Sequence, residues 1–221
     1  VERILYYLVV EVRVDGAQVQ MTKYNRHTDQ WQECSQLQIE AMSCIYHSAA
    51  LSCGPNLYVL TGTDVHRYDP RQDRWCKRSP QRIISEVCTA AAIGIDIFCT
   101  DFHFTHTMVY NTELNYWQEL QGWSNPGNLA IHIVPSLFVL ENQLHILLEV
   151  YDTVKHGTST DYLVYVYSRF GDAWIDLKAT LPDKSYIVHC SQCPVAHVHQ
   201  PYLKGAQKHI TSHAFQRRSS E

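Results

Sequence analysis

Four side chains near the end of the sequence have types and spacing that could bind zinc. Two residues separate Cys190 from Cys193, and the pair His209 and His213 follows fifteen residues later. This order fits the broad two-cysteine, two-histidine spacing of zinc sites. Residues three apart on a β-strand point to opposite faces, however, and both cysteines lie in a segment expected to be a strand. A zinc site and a strand followed by exposed histidines are therefore both open interpretations.

A second group, Asp101 with His103 and His106, places an acid near two potential bases. The segment is short and polar, which is typical of a solvated turn. The sequence contains no glycine-rich phosphate loop, nucleophile elbow or His-Glu-x-x-His motif. Because no set of residues fills the roles that catalysis requires, we expect no catalytic site in this chain.

Positive charge is concentrated between Lys77 and Arg82, a segment that also contains Arg78. Guanidinium groups bind carboxylates in a bidentate manner, so this segment could receive an acidic peptide. A basic loop that only keeps the surface soluble is an equally good interpretation. The whole sequence has a net charge of -4, which argues against a general nucleic-acid-binding protein.

Composition narrows the class of protein further. No apolar run approaches the ~18 residues of a membrane-spanning helix. The eight cysteines lie mostly in apolar stretches, as free buried thiols do, so we expect a reducing compartment, the cytoplasm or also the nucleus. The sequence begins at Val1 without an initiator Met, so we expect a fragment. The lack of a signal peptide therefore does not indicate where the protein is located.

A repeated pair of aromatic residues indicates which elements must position the candidate site residues. Tyr68 precedes Trp75 by seven positions, and the same frame occurs at Tyr24/Trp31, Tyr110/Trp117 and Tyr167/Trp174. The successive tryptophans are 44, 42 and 57 residues apart, within the range expected of β-propeller repeats. Each Tyr ends a strand, a polar turn follows, and the Trp opens the next strand. We expect these aromatic rings to pack between neighbouring sheets.

The apolar segments between these pairs predict the remaining strands. We expect strands at residues 4–12, 18–24, 41–51, 57–60, 65–68, 75–77, 86–93, 95–99, 108–110, 117–120, 129–140, 144–150, 162–167 and 174–177, with a spare strand at 186–198. The first unit lacks an opening strand, and a propeller can close its ring when a C-terminal strand completes the N-terminal blade. We therefore predict an all-β propeller with four visible blades over residues 1–205, followed by a flexible basic tail at 206–221.

The repeated frame resembles kelch repeats over about residues 4–200. The Gly-Gly pair that ends the second kelch strand is half kept at Thr61-Gly62, whereas Val9-Val10, Thr100-Asp101 and Leu148-Glu149 replace it elsewhere. Kelch rings usually have five to seven blades, so four blades is a further departure. The start on a second strand, with closure from the C-terminus, is similar to the kelch half of BTB–BACK–kelch proteins.

That resemblance implies a role in protein recognition. The chain would be the substrate-binding half of an adaptor for a cullin-RING E3 ubiquitin ligase, without catalysis, metal or cofactor of its own. A BTB–BACK part, absent from this sequence, would bind the cullin and would make the full-length protein a homodimer. The alternative is a kelch scaffold that binds cytoskeletal or signalling proteins without ubiquitination. In both cases the partner is a protein or peptide segment, of which an acidic one is plausible, and not nucleic acid or a membrane.

The resemblance also implies which loops bind the partner, namely those after each second strand and those that link the blades. Carried over to this sequence, the candidate residues are Arg13, Asp64, His66, Arg78, Arg82, His103, Trp123, Lys155 and Tyr186. Trp123 lies outside the repeated frame, and it could anchor a partner or cover the edge of a blade.

Overall fold

The computed structural model describes residues 5–13, 16–39, 48–84, 86–127, 129–132, 135–154 and 160–178. Regular structure in these ranges consists of strands alone. The strands are β1 (Tyr6–Arg13), β2 (Gly16–Asn25), β3 (Gln30–Glu33), β4 (Leu37–Ile39), β5 (Ser48–Cys53), β6 (Asn56–Thr61), β7 (Asp64–Asp69), β8 (Arg74–Lys77), β9 (Thr89–Ile93), β10 (Asp96–Thr100), β11 (Thr107–Asn111), β12 (Tyr116–Leu120), β13 (Leu129–Ile131), β14 (Ser136–Leu140), β15 (Gln143–Asp152), β16 (Thr160–Ser168) and β17 (Ala173–Asp176). The described ranges hold no helix that could cross a membrane.

The strands form four antiparallel sheets that follow one another along the chain. The second sheet has the order β5-β6-β7-β8, and the third has the order β9-β10-β11-β12. In the fourth sheet β13 and β14 share one edge of β15, and β16 and β17 follow. The first sheet has the order β1-β2-β3, with β4 on the same edge of β2 as β3. This up-and-down order confirms the all-β class and is consistent with a propeller-like fold.

The sheets pack face to face in chain order through three apolar interfaces. The buried side chains at successive interfaces include Val19 and Val59, then Leu60 and Ile97, then Phe98 and Ile146. The opening strands β5, β9 and β14 lie side by side, and the backbone N–H of Leu137 donates to Oγ1 of Thr89 at 3.1 Å. Among the described residues no apolar cluster joins the fourth sheet to the first. Ring closure and the number of blades therefore stay predictions.

Each Tyr–Trp pair forms a three-residue unit with the residue five positions after the Tyr. The units are Tyr24/Asp29/Trp31, Tyr68/Asp73/Trp75, Tyr110/Asn115/Trp117 and Tyr167/Asp172/Trp174. In every unit the tyrosine hydroxyl donates to the side-chain oxygen of the acid or amide, and the two rings lie 5.0 to 5.4 Å apart. The acid or amide has a φ of 43° to 56°, a left-handed conformation that Asp and Asn tolerate better than most residues.

The same unit also binds the peptide groups of the preceding sheet. In the second sheet, Oδ1 of Asp73 accepts the backbone N–H of Ser35 at 2.8 Å, and Nε1 of Trp75 donates to the Ser35 carbonyl at 2.8 Å. The Ser35 N–H is the main reason that the pKa of the Asp73 carboxyl is lowered. We call this arrangement, an acid or amide and a Trp that together bind one peptide segment, the sheet clasp.

The third and fourth sheets repeat the sheet clasp. Ser79 donates its N–H to Asn115 at 3.1 Å and accepts from Nε1 of Trp117 at 2.8 Å, and Gln121 donates its N–H to Asp172 at 2.9 Å. In the fourth sheet Nε1 of Trp174 has no hydrogen-bond partner in the described part of the chain, and the ring instead meets Phe104 edge to face at 4.9 Å. The residues bound by the clasps are Ser35, Ser79 and Gln121. Each lies four positions after the Trp of its own sheet.

The structure departs from the predicted strands in two places. The segment 129–140 is not one strand, because it is interrupted between β13 and β14, where the backbone N–H of His132 donates to the Glu149 carbonyl at 2.7 Å. Strand β4 was not predicted, because its three residues carry no aromatic or turn signal of their own. The predicted strand at 186–198 and the basic tail at 206–221 lie outside the described residues, as do residues 41–47 of the strand predicted at 41–51.

Candidate protein-recognition face

The loops after the second strands and the linkers between sheets meet at one end of the sheets. In the second sheet, the backbone N–H of Gln81 in the linker donates to the Thr63 carbonyl in the β6–β7 loop at 2.9 Å. In the third sheet, a Cβ built on Gly122 would lie 2.2 Å from the Thr105 carbonyl oxygen, so the linker touches the β10–β11 loop there. We call this end the recognition face. It comprises residues 62–64, 77–84, 86–88, 101–106 and 121–125.

Gln81 fixes the linker between the second and third sheets. Its side chain is buried, and its Oε1 accepts the backbone N–H groups of Ile83 and Ile84, each at 2.7 Å. Its Nε2 donates to the Gly62 carbonyl at 3.0 Å and also to the Ile84 carbonyl. Since buried polar groups cost free energy when unpaired, these four bonds hold the linker in one conformation.

Arg78 and Arg82 in this linker have different surroundings. Arg78 is half-buried, its backbone N–H donates to the Val65 carbonyl at 2.8 Å, and its Nε donates to the Tyr110 hydroxyl at 3.3 Å. Arg82 and the adjacent Ile83 are both exposed. Arg78 therefore contributes to the contact between the second and third sheets, and the linker presents the side chains of Arg82 and Ile83 to solvent.

Asp64 and His66 lie on β7 beside the linker. Nζ of Lys77 on β8 donates to Oδ2 of Asp64 at 2.7 Å, so this carboxylate already has a cationic partner. His66 is 7% exposed, because its ring lies on the strand face that packs against the first sheet. Burial lowers the pKa of His66, Asp64 acts in the opposite direction, and Lys77 lowers it further.

His103 lies on the β10–β11 loop, which hydrogen bonds keep compact. Asp101 accepts the Thr105 N–H at 2.7 Å through Oδ1, and Oγ1 of Thr100 donates to the His106 carbonyl at 2.7 Å. The His103 ring is exposed, and Nδ1 of His106 faces Oε1 of Glu119 at 3.0 Å. The loop therefore holds the acid and the two histidines in separate contacts.

Trp123 packs among aromatic side chains between the third and fourth sheets. Its ring stacks on Phe104 at 6.0 Å and meets Tyr165 edge to face at 6.1 Å. Phe104 is fully buried and has a φ of 54°, an unfavourable conformation for a bulky residue that this packing stabilises. Trp123 itself is half-buried, so a part of its ring remains accessible at the recognition face.

A histidine–glutamate pair in the fourth sheet was not among the sequence candidates. Nδ1 of His132, at the interruption of the opening strand, lies 2.9 Å from Oε1 of Glu149 on β15. The Glu149 side chain is buried, and its Oε2 has no hydrogen-bond partner among the described residues. The sequence signal that could have identified this pair is Glu149 itself, an acidic residue inside the apolar run of residues 144–150.

The described cysteines are free, and burial raises the pKa of Cys53, Cys88 and Cys99. Cys34, Cys53 and Cys99 are buried, as expected of free cysteines in apolar strands. Burial, with the nearby Asp101 and Glu86 carboxylates, raises the pKa of Cys88 at the recognition face to about 12. A thiol with so high a pKa is a poor nucleophile at neutral pH.

Several candidate residues cannot be placed. The backbone of Arg13 pairs with Gly16 at the end of β1, but its side chain lies outside the described part, and so do Lys155 and Tyr186. The four residues with zinc spacing, Cys190, Cys193, His209 and His213, also lie outside the described residues. Within the described ranges no three His, Cys, Asp or Glu side chains are grouped closely enough to hold a metal ion.

Comparisons with known proteins indicate a shared fold but no function. No protein-family model matches the sequence, and no curated protein matches it significantly. The chain is similar to a solved structure described as "Structure of YjhT", with a TM-score of 0.56 and 11% sequence identity, over 81% of this chain and 68% of that chain. At this identity the likeness shows a shared fold alone.

Proposed function

We propose that the chain is a protein-recognition domain whose linker between the second and third sheets binds an acidic segment of a partner. The observation that carries this proposal is the side chain of Gln81, which holds the linker rigid while Arg82 and Ile83 remain exposed. A rigid loop loses little conformational entropy on binding, so its exposed cation and apolar group act as preorganised contacts.

Charge favours a partner with a carboxylate opposite Arg82. Arg78 is bound to Tyr110 and Lys77 to Asp64, whereas Arg82 has no hydrogen bond or ion pair with the described residues, so a partner can bind Arg82 without breaking a described contact. Guanidinium–carboxylate pairs are often bidentate, which gives geometric specificity as well as affinity. His103 and the accessible part of Trp123 lie on the neighbouring sheet at the same face and would extend the contact.

The proposal also includes a kelch-type fold with a closed ring and a role as a ubiquitin-ligase adaptor. We take the sheets as kelch-type blades, with the segment 186–198 completing the first sheet and closing the ring. The role supported by the kelch resemblance is the substrate-binding half of a BTB–kelch adaptor for a cullin-RING ubiquitin ligase. In this role the chain captures the substrate and carries out no chemical step itself.

The test is a quantitative pull-down with the immobilised chain as wild type, Arg82→Glu and Arg71→Glu. Arg71 is exposed in the β7–β8 turn, at the opposite end of the second sheet, so it supplies the same charge change away from the face. We expect a small set of proteins to be lost with Arg82→Glu and retained with Arg71→Glu. If both variants retain the same proteins, the linker does not bind them.

The adaptor role has a separate readout. A cullin that co-purifies with the full-length protein from cells, together with the captured set, supports the adaptor. Capture of the same set without a cullin would instead support the kelch scaffold.

A further inference from the structure

The phenyl ring of Phe170 is fully exposed in the β16–β17 turn, at the end of the fourth sheet that lies opposite the recognition face. Phe170 is the third residue after Tyr167 of the repeat. At the same position the other three sheets carry polar or charged residues, His27, Arg71 and Glu113. The turn therefore forms without an apolar side chain at this position, so the fold itself does not account for the phenyl ring.

A cavity of about 380 Å³ opens beside Phe170. The third and fourth sheets both contribute to its apolar lining, which includes Ile93, Leu144, Val166 and Ile175. An apolar cavity of about 150 Å³ is enough to bind benzene, so this one has room for a phenyl ring. Phe170 borders the cavity without filling it, since its own ring is fully exposed. This end of the fourth sheet therefore carries both a projecting ring and a recess that can receive one.

Opposite charges stand at the rim of the same cavity. Arg169 lines it, with its guanidinium carbon 5.3 Å from the centre of the Phe98 ring. Asp96 lies 3.7 Å from Nη1 of Arg169, which is longer than a hydrogen bond, so the guanidinium makes none with the described residues. Glu141 is exposed, lies next to Asn142 of the lining, and has no ion pair with the described residues. One cation and one anion are thus available at the rim.

Glu141 occupies a backbone position that disfavours side chains. It is the first residue of the two-residue β14–β15 turn and has a φ of 51°. The corresponding residues of the second and third sheets are Gly54 and Gly94, with φ values of 58° and 63°. Glycine adopts this left-handed conformation readily, whereas other residues are strained in it. An acid at such a position points to a use for its charge outside the turn.

We propose that this end of the fourth sheet binds the same end of a second copy of the chain, as a two-fold symmetric dimer. Phe170 of each copy enters the cavity of the other, and Arg169 of each copy pairs with Glu141 of the other. A two-fold interface uses one patch twice, so the patch must contain both halves of every contact. This patch contains a ring and a recess, and a cation and an anion.

The charges at the rim favour a second copy over a partner of one strong charge. Arg169 and Glu141 offset each other, so neither an acidic nor a basic segment would satisfy both, whereas an identical patch does. The contact is separate from the homodimer that a BTB–BACK part would form. It also leaves the recognition faces of both copies free at the far ends of the dimer, where two sites could bind one partner with avidity.

Sedimentation equilibrium of the full chain tests the contact of the ring with the recess. We expect the wild type to dimerise with a Kd on the order of 10–100 µM, because the patch is small. Phe170→Ser should weaken the dimer about 30-fold or more, as loss of a hot-spot residue does. Val154→Ser, at an exposed apolar residue beyond the other end of β15, is the control and should keep the wild-type Kd. A wild type that is monomeric up to about 1 mM, or a Phe170→Ser variant that dimerises like the wild type, would overturn the proposal.

A charge exchange tests the symmetry of the interface. Glu141→Lys and Arg169→Glu each place like charges opposite each other, so we expect either variant alone to remain monomeric where the wild type dimerises. Mixed in equal amounts, the two variants carry opposite charges at both contacts and should form a heterodimer. Folded, monomeric variants that do not associate on mixing would overturn the proposal.

Glu141→Gly separates a role in binding from a role in the turn, and it covers the case in which a charge-reversed variant does not fold. Glycine suits the left-handed backbone, so we expect the free energy of unfolding to rise. The dimer should nevertheless weaken by about two- to thirtyfold, the range for two exposed ion pairs. An unchanged Kd would overturn the pairing with Arg169. These measurements do not involve Arg82, so their failure with an intact pull-down rejects the dimer and leaves partner capture standing.

Discussion

The fold buries several polar side chains, among them those of His66, Gln81 and Glu149. Gln81 fulfils its hydrogen bonds through its own linker and Gly62, whereas Nε2 of His66 and Oε2 of Glu149 have no partner in the described part of the chain. A buried polar atom without a partner costs about 1–3 kcal/mol. At the residue scale, substitution at these positions should therefore change the free energy of unfolding.

His66 makes the stability of the fold sensitive to acid. Burial lowers its pKa in the folded chain below the ordinary value of 6.5, against the effect of Asp64 and together with that of Lys77. Below pH 6.5 the His66 ring is protonated in the unfolded chain but stays neutral in the folded chain. The free energy of unfolding therefore falls as the pH falls towards the folded-state pKa. The fall is at most about 1.4 kcal/mol per pH unit for one proton.

We expect His66→Leu to reduce this acid loss, because leucine fills the site and does not titrate. The measurement is urea unfolding at pH 7.5 and pH 5.5 for the wild type and the variant. His103→Leu, at an exposed histidine, is the control and should retain the wild-type pH dependence. An unchanged pH dependence in His66→Leu would show that other groups cause the acid loss.

At the scale of elements, the sheet clasp explains how each linker begins at the same place on its sheet. The acid or amide accepts one N–H and the Trp donates to one carbonyl, so two atoms of the preceding linker are fixed in the second and third sheets. The fourth sheet keeps the N–H contact to Asp172, but the Trp174 indole N–H is unpaired within the described ranges. The clasps therefore differ in strength along the chain.

The second clasp should lose more stability than the fourth when its Trp becomes Phe. Trp75→Phe removes the bond to the Ser35 carbonyl, whereas Trp174→Phe removes an indole N–H that binds nothing described, and both lose a similar ring area. We expect the free energy of unfolding to fall by about 1 kcal/mol more for Trp75→Phe. Chemical denaturation of both variants measures the difference. An equal loss would mean that ring packing alone stabilises the two clasps.

The sequence predicted the hairpin of each repeat because the information there is local. Tyr68, a polar turn and Trp75 lie within eight residues, and the structure pairs Tyr68 with Trp75 as expected. The role of Asp73 was missed, since an Asp in a turn gives no sign that it binds Ser35, 38 residues away. The burial of His66 was missed for the same reason, because it depends on packing against the first sheet. Local spacing thus predicts hairpins, and contacts between sheets need the folded chain.

At the scale of the whole molecule, the sheets stabilise one another unequally. The second and third sheets are covered on both faces by neighbours, whereas the apolar clusters of the described residues cover one face of the first and one of the fourth. Repeat architectures owe much of their stability to the interfaces between neighbours. The middle sheets therefore contain the most stable part of the described chain.

Hydrogen exchange tests whether the ring closes. We expect the amides of β6, β7, β10 and β11 to exchange slowly, and those of β1 to exchange as slowly, because the strand proposed at 186–198 would complete the first sheet. Exchange followed by mass spectrometry on the intact chain gives the comparison. Exchange of β1 much faster than that of β10 would show that the first sheet is open and would contradict the proposed ring closure.

The sheet clasp has one more consequence, which concerns how such chains diversify. In the second, third and fourth sheets it binds the backbone N–H of the linker residue, which is Ser35, Ser79 or Gln121, and a bond from that residue's side chain, Oγ of Ser35 to the Asp73 carbonyl, is seen in the second sheet. A repeat copied or exchanged by recombination would therefore keep this backbone contact with its neighbour when the linker residue changes. Mutations can then alter what the linkers present to partners while the joints between the blades stay chemically the same.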